Sequence, residues 1–474
     1  MRPEKTATAA PALLERIPIG EHGPFLLAVV AGATLRVLVA VTYQPALLLQ
    51  RDAYSYLLTA YGAPSRFRPE LYPLLLKPLL IGRQLAVVPS VQHLLALGLA
   101  VLLYALLRRL GIGPVMATVA LLPLLLDPYQ VDLEQYVLSE TFFEVFAVSA
   151  FVILLWRTTV TPSRAALAGA LIAAAILTRY VGAILIPVVI VYALTARLGW
   201  KSAGAVIAGA LVVIGGYAGW HATNSGGGGS GGKLGYFLYG RVASFADCTR
   251  VHVPPSQKPL CIDVPPAARG PDYGFRGLDR YIKPIENQPN ANGLLTSFSL
   301  SMIRHQPFEY VSAVAGDVGR FFTWTSPPRR EPYAQRWVYV LSLAQANPVP
   351  IIRARGGAPP PSLHLGTRFR IDAALAGGLR RYQQWIYTYG PLLGVLLALG
   401  LIGGVAGWRR DRRVAAAALT LSLAALGLMV FAAMVNVFHF RYEIPALPFA
   451  GPAAALGLKL LRPAGGQPSA SMTA

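Results

Sequence analysis

The chain has 474 residues, 54% of them hydrophobic and only 13% charged, with a mean hydropathy of +0.50. A soluble domain carries about 25% charged residues, so this composition excludes an ordinary water-soluble fold and points to a mainly α, polytopic membrane protein. The net charge of +21 is no sign of a nucleic-acid partner, because much of it lies in short loops between apolar runs, where it reports topology.

The first apolar run, 24–43, is close to the length of about 20 residues that crosses a bilayer. No early apolar stretch ends in a small-residue cleavage site, so no cleavable signal peptide is expected. Further runs at 91–107, 114–126, 138–156, 165–179, 181–196, 203–220, 386–407, 414–436 and 445–461 bring the expected number of spans to about ten. The 165–179 and 181–196 pair, separated by Arg179-Tyr180, also reads as one kinked helix. The 71–82 segment is apolar but short, and Pro73, Lys77 and Pro78 interrupt it, so it reads as an interfacial helix.

Topology follows from the short loops. Arg108-Arg109, Arg157 with Arg164, Arg197 with Lys201, and the 409–413 cluster all fall on one side. The positive-inside tendency makes that side, and both termini, cytoplasmic. The chain then divides into an N-terminal membrane domain (1–220, first outer loop 44–90), an inserted extracytoplasmic domain (221–385) and a C-terminal membrane segment (386–474). The inserted region is rich in Pro, aromatics and basic residues. Ser225 to Gly232 has the composition of a flexible linker, natural or engineered. Cys248 and Cys261, the only cysteines, lie in this extracytoplasmic stretch and read as one disulfide.

Candidate site residues cluster at the outer ends of the spans. Arg51-Asp52 follows span one, and a carboxylate at a membrane boundary is costly unless solvated or used. Asp52 can serve as a general base toward an acceptor hydroxyl. Phe67-Arg68-Pro69 reads as the start of the interfacial helix. Asp127, Asp132, Glu134 and Glu140 fall within fourteen residues. They read as a solvated acidic loop, or as ligands for an acceptor sugar or a divalent cation such as magnesium or manganese. Glu140 also fits the first turn of a helix. Arg179-Tyr180 and His439-Phe440-Arg441-Tyr442 each set an Arg beside a Tyr at a helix end. Such pairs anchor helices at the interface, and a guanidinium also matches phosphate oxygens. Arg241 and Asp247 either face a cavity or form a structural ion pair.

In order and spacing, these motifs resemble the GT-C superfamily of glycosyltransferases that use polyprenyl-phosphate sugars. The resemblance rests on the acidic first outer loop, Pro69-Glu70-Leu71-Tyr72-Pro73-Leu74-Leu75-Leu76, Leu138-Ser139-Glu140, Leu177-Thr178-Arg179-Tyr180-Val181-Gly182, and Arg441-Tyr442 before the last span. The Gly240-Arg241 to Asp247-Cys248 stretch is similar to actinobacterial members. The resemblance implies inverting transfer of a sugar on the outer face to a cell-envelope glycan, lipid or protein. It sets Asp52 in the place of the family's base, and Arg51, Arg179, Tyr180, Arg241, His439 and Arg441 as donor or substrate contacts. Where many relatives carry an acidic pair in the first loop, this chain has Arg51-Asp52. A lipid-linked sugar flippase or a non-catalytic wall-assembly scaffold are the competing expectations. The absence of an internal repeat speaks against the flippase.

Overall fold

With so few charged side chains, the apolar segments must satisfy their own backbone N–H and C=O groups, and helices do so. The computed structural model describes residues 19–48, 52–61, 68–82, 84–224, 234–270, 273, 279–286, 288, 290–330 and 369–462. Arg51 and the 225–232 linker lie outside them. The helices are α1 (Ile19–Thr42), α2 (Asp52–Tyr61), α3 (Leu71–Leu79), α4 (Val87–Arg109), α5 (Pro114–Leu126), α6 (Pro128–Gln135), α7 (Glu140–Leu155), α8 (Pro162–Thr178), α9 (Leu185–Thr195) and α10 (Trp200–Asn224). After the linker come α11 (Leu234–Val242), α12 (Asp279–Glu286), α13 (Ala291–His305), α14 (Pro307–Arg320) and α15 (Pro327–Arg330). The chain ends with α16 (Ala373–Trp385), α17 (Gly390–Ala406), α18 (Arg412–Val435) and α19 (Leu447–Leu461).

The structure is mainly α and polytopic. Among the described residues five helices are long and apolar enough to cross a membrane, or up to seven if the bent pairs α5–α6 and α16–α17 each count as one, which does not confirm the expected ten spans. Some of the expected spans are short helices. Helix α8 has 17 residues and α9 has 11, and at about 1.5 Å per residue neither spans a core about 30 Å thick. The Arg179-Tyr180 break is real: a 3₁₀ turn, Tyr180–Ile184, separates α8 from α9.

Close helix crossings depend on glycine. A Cβ on Gly169 of α8 would sit 1.9 Å from the Val206 carbonyl oxygen of α10, and one on Gly209 of α10 would sit 1.9 Å from that of Ala166. Small residues let helix backbones meet in this way inside a membrane. The rest of α10 exposes Ile207, Leu211 and Val212, as a lipid-facing helix does.

One end of the bundle gathers the basic loops. Arg109 donates to the Trp156 carbonyl at 2.5 Å, Arg413 to the same oxygen at 3.1 Å, Arg412 to Thr195 at 2.8 Å and Lys459 to Leu110 at 2.7 Å. These side chains satisfy the last carbonyls of α4, α7 and α9 and oppose the negative ends of those helices. The positive charge that reports topology in the sequence therefore also caps helices.

At the other end, short backbone links tie the segments between helices together. Tyr43–Gln44 pairs antiparallel with Arg370–Ile371. Leu47 N–H donates to the Gln135 carbonyl at 3.0 Å, and Val137 N–H to that of Leu47 at 3.1 Å. The segment leading to Asp52 is thus stitched to the segment leading to Glu140. Residues 236–313 form a second hydrophobic cluster, with Tyr239, Leu260, Leu295, Phe298 and Met302 at its centre. The Cys248–Cys261 disulfide borders it.

Beneath this end lies a buried polar network. Arg36, in the middle of α1, forms a bidentate pair with Glu134 of α6 at 2.8 and 2.7 Å, and also caps the Leu124 and Leu125 carbonyls. His93 meets the same carboxylate at 2.8 Å. A charge inside the bundle has to be paired in this manner. Replacing Arg36 by Met leaves Glu134 short of its main counter-charge, and the expected cost is about 3–5 kcal/mol. The double replacement of Arg36 and Glu134 by Met and Leu should recover most of it. Denaturant unfolding in detergent checks both; a silent single variant contradicts the pairing.

Candidate active site

Asp52 opens α2, where its carboxylate suits the positive end of a helix. The two prolines and the apolar run at 71–79 form α3, which brings Arg68, just ahead of it, back over α2. Arg68 Nη2 donates to Asp52 Oδ1 at 2.5 Å. The other carboxylate oxygen, Oδ2, accepts from Arg441 Nη1 at 3.0 Å. Arg441 lies in the 3₁₀ turn Phe440–Tyr442 between α18 and α19, nearly 400 residues away in sequence.

Arg441 also faces a second carboxylate. Its Nε is 2.6 Å from Glu140 Oε1, and Glu140 pairs in addition with Arg179, which caps the end of α8. The result is a chain of alternating charge, Arg68–Asp52–Arg441–Glu140–Arg179. It holds three guanidiniums and two carboxylates. Glu140 is its buried floor at 1% side-chain exposure, whereas Arg68 is 28% exposed and Asp52 13%. Tyr56, one turn after Asp52, accepts from Arg68 Nη1 at 3.2 Å and meets Ser139 Oγ at 3.1 Å. Tyr72 packs edge-on against Tyr56 and donates to Gln92 at 2.9 Å.

Burial opposes ionisation of Asp52, but Arg68 and Arg441 outweigh it and hold the carboxyl well below the usual carboxylate range. A group with a depressed folded-state pKa contributes stability above its unfolded value, and that contribution is lost as pH falls through the folded value.

Of the residues singled out in the sequence, the structure brings Asp52, Glu140, Arg179 and Arg441 together. It adds Arg68, which the sequence offers as a helix start and as one of the basic residues of the first loop, and Tyr56. His439 shapes the turn, its Nδ1 accepting from the Arg441 N–H at 3.3 Å. Tyr180 begins the 3₁₀ turn after Arg179 and is 39% exposed. Asp127 caps α6, accepting from the Tyr129 and Thr388 N–H groups at 2.9 and 2.7 Å. Asp132 is fully buried in α6 beside Gln383, and Glu134 is held by Arg36 and His93. These carboxylates therefore do not converge with Glu140, and among the described residues no cluster of three or more His, Cys, Asp or Glu could hold a metal ion. The donor set does not fit a bound cation.

Arg241 stands apart from Asp52. It pairs with Asp317 of α14 and donates to the Asn436 carbonyl at 3.2 Å. Asp317 accepts in turn from the Phe438 N–H at 3.0 Å, so this pair fixes the segment that carries Arg441. Glu443, two residues further, is held by Arg330 at 2.7 Å. A cavity of about 550 Å³ opens over the Arg241–Asp317 pair, lined also by Ser244, Phe308, Ser312 and Arg320.

No family model and no curated protein matches the chain. Among solved structures it is similar to the oligosaccharyltransferase of Archaeoglobus fulgidus tethered with an acceptor peptide containing the NVT sequon. Identity there is 14%, over 94% of this chain and 50% of that one, with a TM-score of 0.38. It is similar to the Archaeoglobus fulgidus oligosaccharyltransferase AglB in complex with an inhibitory peptide and a dolichol-phosphate, at 12% identity over 92% and 50% and a TM-score of 0.40. It is also similar to apo ArnT from Cupriavidus metallidurans, at 14% identity over 92% and 77% and a TM-score of 0.34. The chain spans half the length of the two archaeal structures. Likeness at this level says nothing about chemistry, which rests on the site's own residues.

The depressed Asp52 carboxyl has a measurable consequence. The stability lost in Asp52→Asn should be constant from about pH 8 down to about pH 5 and shrink only below the ordinary carboxyl value of about 3.9. Thermal melting of both proteins across pH checks this; a gap that closes already at pH 5–6 contradicts the two-arginine clamp.

Proposed function

We propose that the chain is an integral membrane glycosyltransferase that moves a sugar from a polyprenyl-phosphate donor to a cell-envelope acceptor. The observation that carries this reading is the Arg68–Asp52–Arg441–Glu140–Arg179 array at one end of an apolar helix bundle. It sets a carboxylate beside three permanent cations. With the basic end of the bundle in the cytoplasm, the array faces the extracytoplasmic side. Residues 221–385 and the Cys248–Cys261 disulfide then lie outside the cell, where disulfides persist.

The chemistry follows from the two charge types. An acceptor hydroxyl attacks the anomeric carbon and gives its proton to Asp52. The bond from the anomeric carbon to the phosphate oxygen breaks, and its electron pair leaves with the prenyl phosphate. The phosphate passes from one negative charge toward two, so the guanidiniums of Arg441, Arg179 and Arg68 stabilise the transition state more than the ground state. Attack from the side opposite the leaving group inverts the anomeric centre. Glu140 keeps two of these arginines in place. The cavity over Arg241 and Asp317, with the exposed ring of Phe308 beside it, supports a seat for the acceptor chain. No step requires a nucleotide.

The test is transfer of radiolabelled sugar from a panel of polyprenyl-phosphate sugars in membranes holding the protein. Asp52→Asn should lower turnover by about 10²–10⁴-fold while donor binding persists. Arg441→Gln should lower it by about 10²–10³-fold. Equal transfer by wild type and Asp52→Asn removes Asp52 as the base. Absence of transfer from every donor favours a flippase or scaffold.

A further inference from the structure

Asp52 is the proposed base, yet each of its oxygens already accepts from a guanidinium. Arg68 holds Oδ1 at 2.5 Å and Arg441 holds Oδ2 at 3.0 Å. A carboxylate clamped by two guanidiniums is a poor base, because accepting a proton forfeits both ion pairs. Among the described residues, the other charged or titratable groups around it are Tyr56 on α2, Tyr72 on α3, Glu140 on α7 and Arg179 after α8, with Glu144 of α7 also facing Arg179.

We infer that the donor's phosphate releases Asp52: it takes over Arg68 and Arg441, and only then does the carboxylate become a competent base. The inference rests on the proposed glycosyl transfer. Two features favour it. Arg68 is the most exposed member of the array at 28%, so it can turn to a ligand without opening the bundle. Arg441 is anchored to Glu140 through Nε, so its Nη1 can leave Asp52 while the side chain stays seated. Guanidiniums also match phosphate oxygens in two-pronged geometry, which makes the exchange of one anion for another economical in motion.

The cycle balances. After attack, Asp52 holds the acceptor's proton and the prenyl phosphate holds the electron pair of the broken bond. When the phosphate departs, Arg68 and Arg441 return to Asp52 and the proton is expelled to water. Arg68 thus has two roles: it keeps the base silent until a donor is present and then holds the donor's phosphate, so the donor binds before the acceptor is activated.

The experiment is isothermal titration of the full-length protein with farnesyl methyl phosphodiester at about pH 4, in two buffers of different ionisation enthalpy. The diester does not titrate there, so proton uptake reports the protein. Wild type should take up about half a proton or more per ligand, as Asp52 returns toward its ordinary value of about 3.9. Asp52→Asn should bind the diester with no matching uptake. Arg68→Gln should bind more weakly, with uptake at least halved because its Asp52 is already partly released, and Arg68→Lys should restore it. Thermal melting confirms that each variant is folded. Binding with equal uptake by wild type and Asp52→Asn overturns the release while leaving the phosphate site standing. No binding by any of the proteins overturns the phosphate site itself, and the release with it.

Discussion

Arg441 sits between two carboxylates, and the site depends on that placement. Its Nη1 reaches Asp52 and its Nε reaches Glu140, so one side chain joins the first outer segment, the start of α7 and the turn before the last helix. A charged group at the edge of a low-dielectric bundle cannot stay unpaired. Each additional charge in the array therefore fixes another: Glu140 recruits Arg179, and Asp52 recruits Arg68. The array is held by electrostatic necessity as much as by packing, and it comes preorganised, which is what stabilisation of a developing charge requires.

Support for the array extends well beyond it. Asp317 and Arg241 pin the 436–438 segment, and Arg330 pins Glu443 on the far side of the turn. Residues from α11, α14 and α15 thereby set the position of Arg441 without touching Asp52. The Leu47–Gln135 and Leu47–Val137 hydrogen bonds do the same for the other half of the site. Below, the Arg36–Glu134–His93 network locks α1, α4 and α6. The Arg330–Glu443 ion pair and the hydrogen bonds that join Arg241 and Asp317 to the 436–438 backbone thus flank the turn that carries the central arginine.

Much of this organisation is written locally and is legible in the sequence. The long apolar runs mark helices, the basic loops mark one end, and the break at Arg179-Tyr180 marks a real interruption. The two cysteines form the expected disulfide. Asp52, Glu140, Arg179 and Arg441 each stand out as ionisable groups at helix ends. What sequence does not carry is their convergence, since Asp52 and Arg441 are brought together only by the packing of helices far apart in the chain. Arg68 does not announce its partner, because Asp52 lies sixteen residues back in the chain. Arg36 had a signal: an arginine in the middle of an apolar run must have a buried partner. Asp127, Asp132 and Glu134 look alike as an acidic stretch, yet one caps a helix, one is buried beside Gln383 and one neutralises Arg36. Helix α6 turns them in different directions, which composition cannot reveal. Apolar character alone also does not report whether a helix is long enough to cross, so the expected ten spans are not confirmed.

The central claim is that the arginines around Asp52 are a phosphate site that the carboxylate occupies in the absence of substrate. The most direct measurement is a structure of the protein with a bound prenyl phosphodiester, determined by electron cryo-microscopy. The account predicts phosphate oxygens within hydrogen-bonding distance of Arg68 and Arg441, with Asp52 withdrawn from both and Glu140 still on Arg441. A phosphate seated elsewhere, with the Arg68–Asp52–Arg441 contacts unchanged, contradicts it.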